Sequence, residues 1–193
     1  MSYLDNNFNQ LREKIKKGRD TFSNKGYDNF YYLIFEPSEI LSVKRKEKDW
    51  VLKLKHDGWE IQTFSVFQNI WKIIEGNKRW EIYKNAGEKN PLDWDKMNLS
   101  LREILINETN GLISKFKEKL NKFNEKEKNI MLVTDIEALH PYMRIGTIEA
   151  QLQGQFNTTI IFLYPGKRTG DTTLKFLGFY PEDGNYRSVH IGG

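Results

Sequence analysis

The sequence predicts an α/β protein, a three-layer sandwich whose central sheet is mostly parallel. Three segments, 29–35, 129–135 and 158–164, have strand length and consist almost wholly of apolar residues, as strands covered on both faces do. Amphipathic helical patterns separate these segments, and helices are the usual connection between parallel strands. At 193 residues the chain has the size of one domain, so we expect a single domain over residues 1–193.

The first elements follow from periodicity. Apolar residues recur at helical spacing near the N-terminus and predict an amphipathic helix: Leu4, Phe8, Leu11 and Ile15. The buried strand 29–35 follows and is bounded by Gly26 and Pro37. Ser38 is placed to cap a second helix, which ends near Gly58.

The middle of the chain is predicted to be helical. After a second strand at 59–63, Ser65 is the expected N-cap and Gly76 the expected end of a third helix. Residues 77–128 form a helical insertion, in which Gly111 is expected to kink or split a long helix.

The last third returns to strands. The strand 129–135, a helix over 142–153 and the strand 158–164 come in that order. Two short strands, about 173–177 and 186–191, close the chain, and we expect them to form a short antiparallel edge.

Composition excludes several classes of site. The chain has no cysteine and only three scattered histidines, so we expect neither disulfides nor a metal site. Its mean hydropathy is −0.67, and no apolar run approaches the ~20 residues of a membrane span. The polar N-terminus lacks the apolar stretch of a secretory signal. These features indicate a cytoplasmic protein without membrane association.

Positive charge is concentrated in the first two-thirds of the chain. Residues 1–128 hold 25 of the 30 Lys and Arg but 20 of the 26 Asp and Glu. A nucleic-acid-binding module is therefore an alternative function, although a stretch of basic residues is more often the solvated face of a helix. The candidate basic surface comprises Lys44, Arg45, Lys46, Lys48, Lys53, Lys55, Lys167 and Arg168.

Sites in open α/β sheets form outside the carboxyl ends of the strands, where Asp135 and Glu137 follow the third strand. An acidic strand end of this kind holds Mg²⁺ in nucleotide hydrolases, but the sequence contains no G-x-x-x-x-G-K-[ST] phosphate cradle. We therefore expect no catalytic residues and no cofactor, and a degenerate nucleotide-binding domain stays an alternative. Arg144 is expected to reach back to Asp135 or Glu137 and complete a polar cluster. His140, next to Pro141, is read as a turn residue rather than a general base.

Three segments together, Met131–Arg144, Thr159–Gly166 and Asn185–Arg187, resemble the BrxB family of bacterial BREX phage-defence systems. The segment Tyr32–Pro37 also resembles the family's first strand and turn. The residues that carry the resemblance are Pro37, His140, Pro141, Arg144, Tyr164, Pro165, Gly166, Tyr186 and Arg187.

The resemblance implies an accessory subunit of a BREX-type defence system without a known activity. Because the sequence has no complete catalytic constellation, we expect a non-enzymatic subunit that acts through protein contacts. The partners that the resemblance implies are the PglZ-family phosphatase-like protein and other BREX components. We expect docking through residues 164–171, residues 180–187 or the charged long helix.

Overall fold

A computed structural model of the chain describes residues 2–21, 29–123, 128–184 and 188–193, with the side chains of 19–21 left aside. The helices in these ranges are α1 (Tyr3–Thr21), α2 (Ile40–His56), α3 (Val66–Glu75), α4 (Trp80–Lys89), α5 (Trp94–Leu105), α6 (Leu112–Phe123) and α7 (Ile145–Leu152). The strands are β1 (Phe30–Phe35), β2 (Glu60–Ser65), β3 (Asn129–Thr134), β4 (Thr159–Arg168), β5 (Leu174–Phe176) and β6 (Val189–Gly192). Two 3₁₀ turns, Pro37–Glu39 and Ile136–Leu139, follow β1 and β3.

The central sheet has the strand order β2-β3-β4-β1-β6, and all these neighbours pair in parallel. The predicted mixed α/β fold with a mostly parallel sheet is confirmed. β1 lies in the interior of the sheet, with Tyr32 opposite Phe162 on one side and opposite His190 on the other. All six residues of β1 are buried, because helices cover both faces.

The two faces of the sheet have separate cores. On one face, Tyr32 and Ile34 pack with apolar side chains from α3, α5, α6 and α7. On the other, Tyr31 and Leu33 pack with α1 and α2, where the ring of Phe8 stacks on Trp50 with centroids 4.6 Å apart. This alternation along one strand produces the three layers that the sequence predicts.

The two strands nearest the C-terminus differ from the prediction. They do not pair with each other: β5 runs antiparallel to the end of β4, with Gly166 opposite Phe176, whereas β6 is parallel to β1. The expected short antiparallel edge is therefore present, but β5 forms it with β4, and β6 takes no part in it. The cause of this pairing is the length of β4, which continues through Arg168 and offers β5 a partner. The backbone oxygen of Lys175 approaches Gly166 too closely to leave room for a Cβ atom.

Local signals set several helix ends correctly. The Ser65 hydroxyl accepts a hydrogen bond from the Gln68 N–H at 3.1 Å, which caps α3, and Gly76 ends this helix. Gly111 lies between α5 and α6. Only glycine fits there, because a Cβ atom would overlap backbone oxygens of the preceding turn. The predicted Ser38 cap is wrong, since Ser38 lies inside the 3₁₀ turn and α2 begins at Ile40.

The edge strand β2 is partly covered by a side chain. The Lys119 ammonium of α6 donates a hydrogen bond of 2.5 Å to the Thr63 carbonyl oxygen. Burial, and then the nearby charge of Lys72, lower the pKa of Lys119. Within the described ranges, no helix combines the length and the apolar character needed to cross a membrane.

Candidate functional site

Four side chains meet at the carboxyl ends of β2 and β3, and we call them the strand-end cluster: Lys44, Ser65, Asp135 and Glu137. Ser65 and Thr134 are partners in the β2–β3 register, so Ser65 lies beside the residue that follows β3. Its hydroxyl donates to Asp135 Oδ2 at 2.5 Å. Lys44, from α2, lies with Nζ 2.7 Å from Asp135 Oδ1 and 2.8 Å from Glu137 Oε1.

The backbone also fixes the position of Asp135. This residue has φ 57°, in the left-handed region, which Asp occupies more readily than most residues with a Cβ atom. The turn leads directly into the 3₁₀ turn Ile136–Leu139, whose two terminal residues are buried in the core. Asp135 is therefore held by its own chain as well as by Lys44.

The electrostatics of the strand-end cluster favour the charged forms of its ion pair. Burial raises the pKa of Asp135, but hydrogen bonds from Lys44 and Ser65 outweigh it and leave that pKa below its usual value. Burial likewise lowers the pKa of Lys44, and its bonds to the two carboxylates reverse the shift. Burial, together with the negative charge of Asp135, raises the pKa of the neighbouring Glu47.

Both carboxylate oxygens of Asp135 are occupied, because Oδ2 also accepts a bond from the Thr134 hydroxyl at 3.2 Å. Lys44, Ser65 and Thr134 together use three of the roughly four acceptor positions of this carboxylate. Among the residues that the structure describes, no three His, Cys, Asp or Glu side chains are grouped to hold a metal ion. The cluster is an internal ion pair that ties α2 to the sheet.

Arg144 is not part of the strand-end cluster. Its guanidinium carbon lies 3.8 Å from the ring centroid of Tyr180, a cation–π contact, so the predicted pairing with Asp135 or Glu137 is wrong. Lys44 takes that place from a helix that is distant in sequence. The Arg144 Nη1 and Tyr164 Oη atoms are buried without a hydrogen-bond partner in the described part of the chain.

A small cavity of about 380 Å³ lies beside Arg144 and is also lined by Glu149 and Asp183. Glu149 is only 5% exposed, and the Tyr32 hydroxyl donates to its Oε2 at 2.5 Å. Burial raises the pKa of Glu149 to about 7, the hydrogen bond from Tyr32 opposes this shift, and the charge of Asp183 adds to it. This buried acid was not singled out from the sequence, where it is the one charged residue of a short helix.

Most of the residues that carried the family resemblance lie around an aromatic cluster at this end of the sheet. The His140 ring lies against Phe179 and Tyr180, with centroids 5.6 Å and 5.1 Å away, and the His140–Pro141 bond is cis. The Tyr164 ring packs on Tyr32 at 5.6 Å and on Phe176 at 5.5 Å. Pro165 and Gly166 belong to β4, and Pro37 opens the first 3₁₀ turn. Tyr186 and Arg187 lie outside the described residues.

Half of the cations in the candidate basic surface form ion pairs with carboxylates of the same chain. Besides Lys44, Lys46 pairs with Asp5 at 2.8 Å, Lys167 with Glu36 at 3.4 Å and Arg168 with Asp171 at 3.3 Å. The other four cations, none of which forms an ion pair within the described ranges, are Arg45, Lys48, Lys53 and Lys55. Intramolecular pairing leaves less positive charge for phosphate groups than the sequence suggests.

Exposed apolar side chains are concentrated on α3, α4, α5 and their connections. α4 has no buried residue, and α5 buries only Leu105. Leu92 is 85% exposed and Trp94 65% exposed. Seven of the eleven exposed large apolar residues in the described chain lie here: Phe67, Trp71, Ile82, Leu92, Trp94, Leu99 and Ile106. Exposed large apolar side chains, when they are grouped on a folded protein, mark interaction sites.

Sequence reasoning did not predict this exposure, because helical periodicity alone assigns apolar residues to a core. The available signal was the turn around Pro91, where Leu92 and Trp94 stand among polar residues and outside any regular helical stripe.

The fold and the strand-end cluster together define an α/β domain with a parallel sheet, an inserted set of helices and an acidic strand end closed by a lysine. Residues 62–191 match the family model described as BREX protein BrxB, about two thirds of the chain. The chain belongs to the BrxB family and is thereby a component of BREX phage defence. It has no significant match among curated proteins or solved structures.

Proposed function

We propose that this protein is a non-enzymatic assembly subunit of a BREX-type anti-phage defence system and acts by binding other proteins of that system. The observation that carries the proposal is the group of exposed apolar residues on α3–α5, which lies wholly within the family match. Large aromatic side chains dominate the binding energy of protein interfaces, and two exposed tryptophans, Trp71 and Trp94, belong to this group.

The strand-end cluster supports the non-enzymatic part of the proposal. The two carboxylates that follow β3, Asp135 and Glu137, are both in contact with the ammonium of Lys44. A catalytic carboxylate directs an acceptor position at a metal ion or a water, and Asp135 uses three of its roughly four positions on Lys44, Ser65 and Thr134.

The PglZ-family protein is the partner that the family resemblance favours. The test is co-expression of the tagged chain with each BREX protein encoded beside it, one at a time, followed by size-exclusion chromatography. We expect a stable complex with the PglZ-family protein. Elution of the chain alone, as a monomer, beside every BREX component would refute an assembly role.

The non-enzymatic part is tested separately with the purified chain. We expect no turnover of ATP, GTP or DNA in the presence of Mg²⁺. Turnover that disappears in both Asp135→Asn and Glu137→Gln variants would show instead that the strand-end cluster is an active site.

A further inference from the structure

A groove of about 950 Å³ lies among α3, α4, α5 and α6, on the side of the molecule that carries the helical insertion. Three half-buried apolar residues, Ile73, Tyr83 and Ile104, line it. Such side chains in an open groove offer apolar surface to a ligand without further unfolding of the protein. Helices and their connections wall the groove, and no residue of a described strand lines it.

Positive charge is in excess around this groove. Lys72, Lys78 and Arg79 line it, and none of them forms an ion pair with another described residue. A fourth cation in the lining, Lys115, pairs with Glu118 at 3.5 Å. Glu103 is the remaining acidic side chain in the lining, so three unneutralised cations face one unneutralised carboxylate.

Exposed aromatic surface adjoins these cations. Trp71, which is 46% exposed, packs edge-on against Trp80 with ring centroids 5.6 Å apart. The chain neighbours of this pair, Lys72 and Arg79, are two of the groove cations. Apolar and cationic groups therefore alternate over a short distance, and a ligand that satisfies both must carry apolar and anionic groups in a similar alternation.

We infer that this groove is the docking site for an acidic amphipathic helix of a partner protein in the same defence system. Such a helix places apolar side chains at i, i+3, i+4 and i+7 in a groove, and its flanking Asp and Glu reach the surrounding cations. A strand is disfavoured as the occupant because the groove offers no free sheet edge for backbone pairing. The inference rests on the proposed function, since it requires that the chain bind another protein.

The test compares two double charge reversals. Lys78→Glu/Arg79→Glu changes the groove at the N-terminus of α4, where acidic residues are favourable for the helix dipole, so folding is preserved. Lys84→Glu/Lys96→Glu makes the same change in net charge at exposed residues of α4 and of the first turn of α5, which do not line the groove. Binding of both variants and of the wild-type chain is measured against the BREX component that co-purifies with it, at several salt concentrations.

We expect the groove variant to bind at least about tenfold more weakly, with a shallower salt dependence, and the matched variant to stay within about threefold of wild type. Tyr83→Ser, which removes apolar surface and no charge, is expected to weaken binding without changing the salt dependence. Hydrogen exchange on the partner should show protection in a helical segment that is rich in Asp and Glu.

Three outcomes would contradict the inference. Equal binding by the groove variant and the wild type would exclude the groove and leave the assembly role intact. Protection of a basic or extended segment in the partner would exclude an acidic helix. Self-association that the groove variant abolishes would make a second copy of this chain the occupant. Failure of the wild-type chain to bind any BREX component refutes the proposed function itself.

Discussion

At the residue scale, the strand-end cluster depends on a cation that the sequence places far from its partners. Lys44 belongs to α2, whereas Asp135 and Glu137 follow β3. The side chains of the two acids are 20% and 26% exposed and that of Lys44 is 45% exposed, so water screens the interaction in part. The contribution of Lys44 to stability should then lie between those of surface and buried ion pairs.

Replacement of Lys44 by Met should lower the free energy of unfolding by about 1 kcal/mol, because it leaves two neighbouring carboxylates without their cation. Urea denaturation at neutral pH measures the change. Lys48→Met on the same helix is the matched control, since Lys48 is exposed and has no ion pair in the described structure. Equal losses in the two variants would show that the cluster contributes nothing specific.

Glu149 couples the stability of the protein to pH. Its pKa of about 7 in the folded protein lies above the ordinary value of 4.5, so the folded state holds this proton more tightly than the unfolded state. Stability from this group is present below about pH 4.5 and declines as the pH rises through about 7. His190 acts in the opposite direction, since burial lowers its pKa to about 4.

The Glu149→Gln variant removes this titration and keeps an oxygen that accepts the Tyr32 hydroxyl. Relative to wild type, its free energy of unfolding should gain about 2 kcal/mol between pH 5 and pH 8, because the wild type must ionise a buried carboxyl group. The difference between variant and wild type cancels the contribution of His190. Denaturant titrations at the two pH values measure the free energies of unfolding, with the exposed Glu182→Gln variant as the control. A difference between Glu149→Gln and wild type that is the same at both pH values would contradict the assigned pKa.

At the element scale, the cap of α3 connects a helix end to the strand-end cluster. The Ser65 hydroxyl accepts from the Gln68 N–H and donates to Asp135, so one side chain serves both the helix and the cluster. The sequence predicted the cap from the position of Ser65 before an apolar helical pattern. It could not predict the bond to Asp135, because that contact depends on the pairing of β2 with β3.

Ser65→Ala should cost about 1–2 kcal/mol, the usual range for loss of an N-cap, with the lost bond to Asp135 included. Ser100→Ala is the comparison, because Ser100 on α5 is bonded only to the Lys96 carbonyl of its own helix and should change stability by less than about 0.5 kcal/mol. Thermal or urea unfolding distinguishes the two variants. Similar small losses in both would contradict the dual role of Ser65.

The split between α5 and α6 and the course of the last strands show what local signals can and cannot predict. Gly111 marks the split because close backbone approach needs a residue without a side chain, and that requirement is visible in the sequence. The extension of β4 beyond Tyr164 and the parallel placement of β6 depend on partners that pair across long stretches of chain. Periodicity identifies a strand, but it does not identify the neighbour of that strand.

At the scale of the whole molecule, apolar segments predicted the buried strands and so the class of fold. The candidate site residues were predicted only in part. Asp135 and Glu137 were found from their position after β3, but the role of Arg144 was wrong because its contact, Tyr180, lies on the connection that follows β5. Exposure of the insertion could not be predicted, since periodicity describes which residues share a face and not what covers that face.

The closed strand-end cluster predicts how the whole protein responds to nucleotides. Addition of ATP and Mg²⁺ should shift the thermal unfolding midpoint by less than about 1 °C, because a ligand stabilises only through selective binding to the folded state. Differential scanning fluorimetry measures this shift. A larger shift that is lost in the Asp135→Asn variant would instead favour a degenerate nucleotide-binding domain.

The ammonium of Lys119 on the Thr63 carbonyl has a consequence for behaviour at high concentration. An uncovered edge strand recruits backbone from other chains and is a common origin of fibrous aggregates. Here the Lys119 ammonium obstructs the pairing of another strand with β2, and the opposite edge strand, β6, is only four residues long. Crowded copies of this protein should therefore stay dispersed rather than polymerise through their sheets.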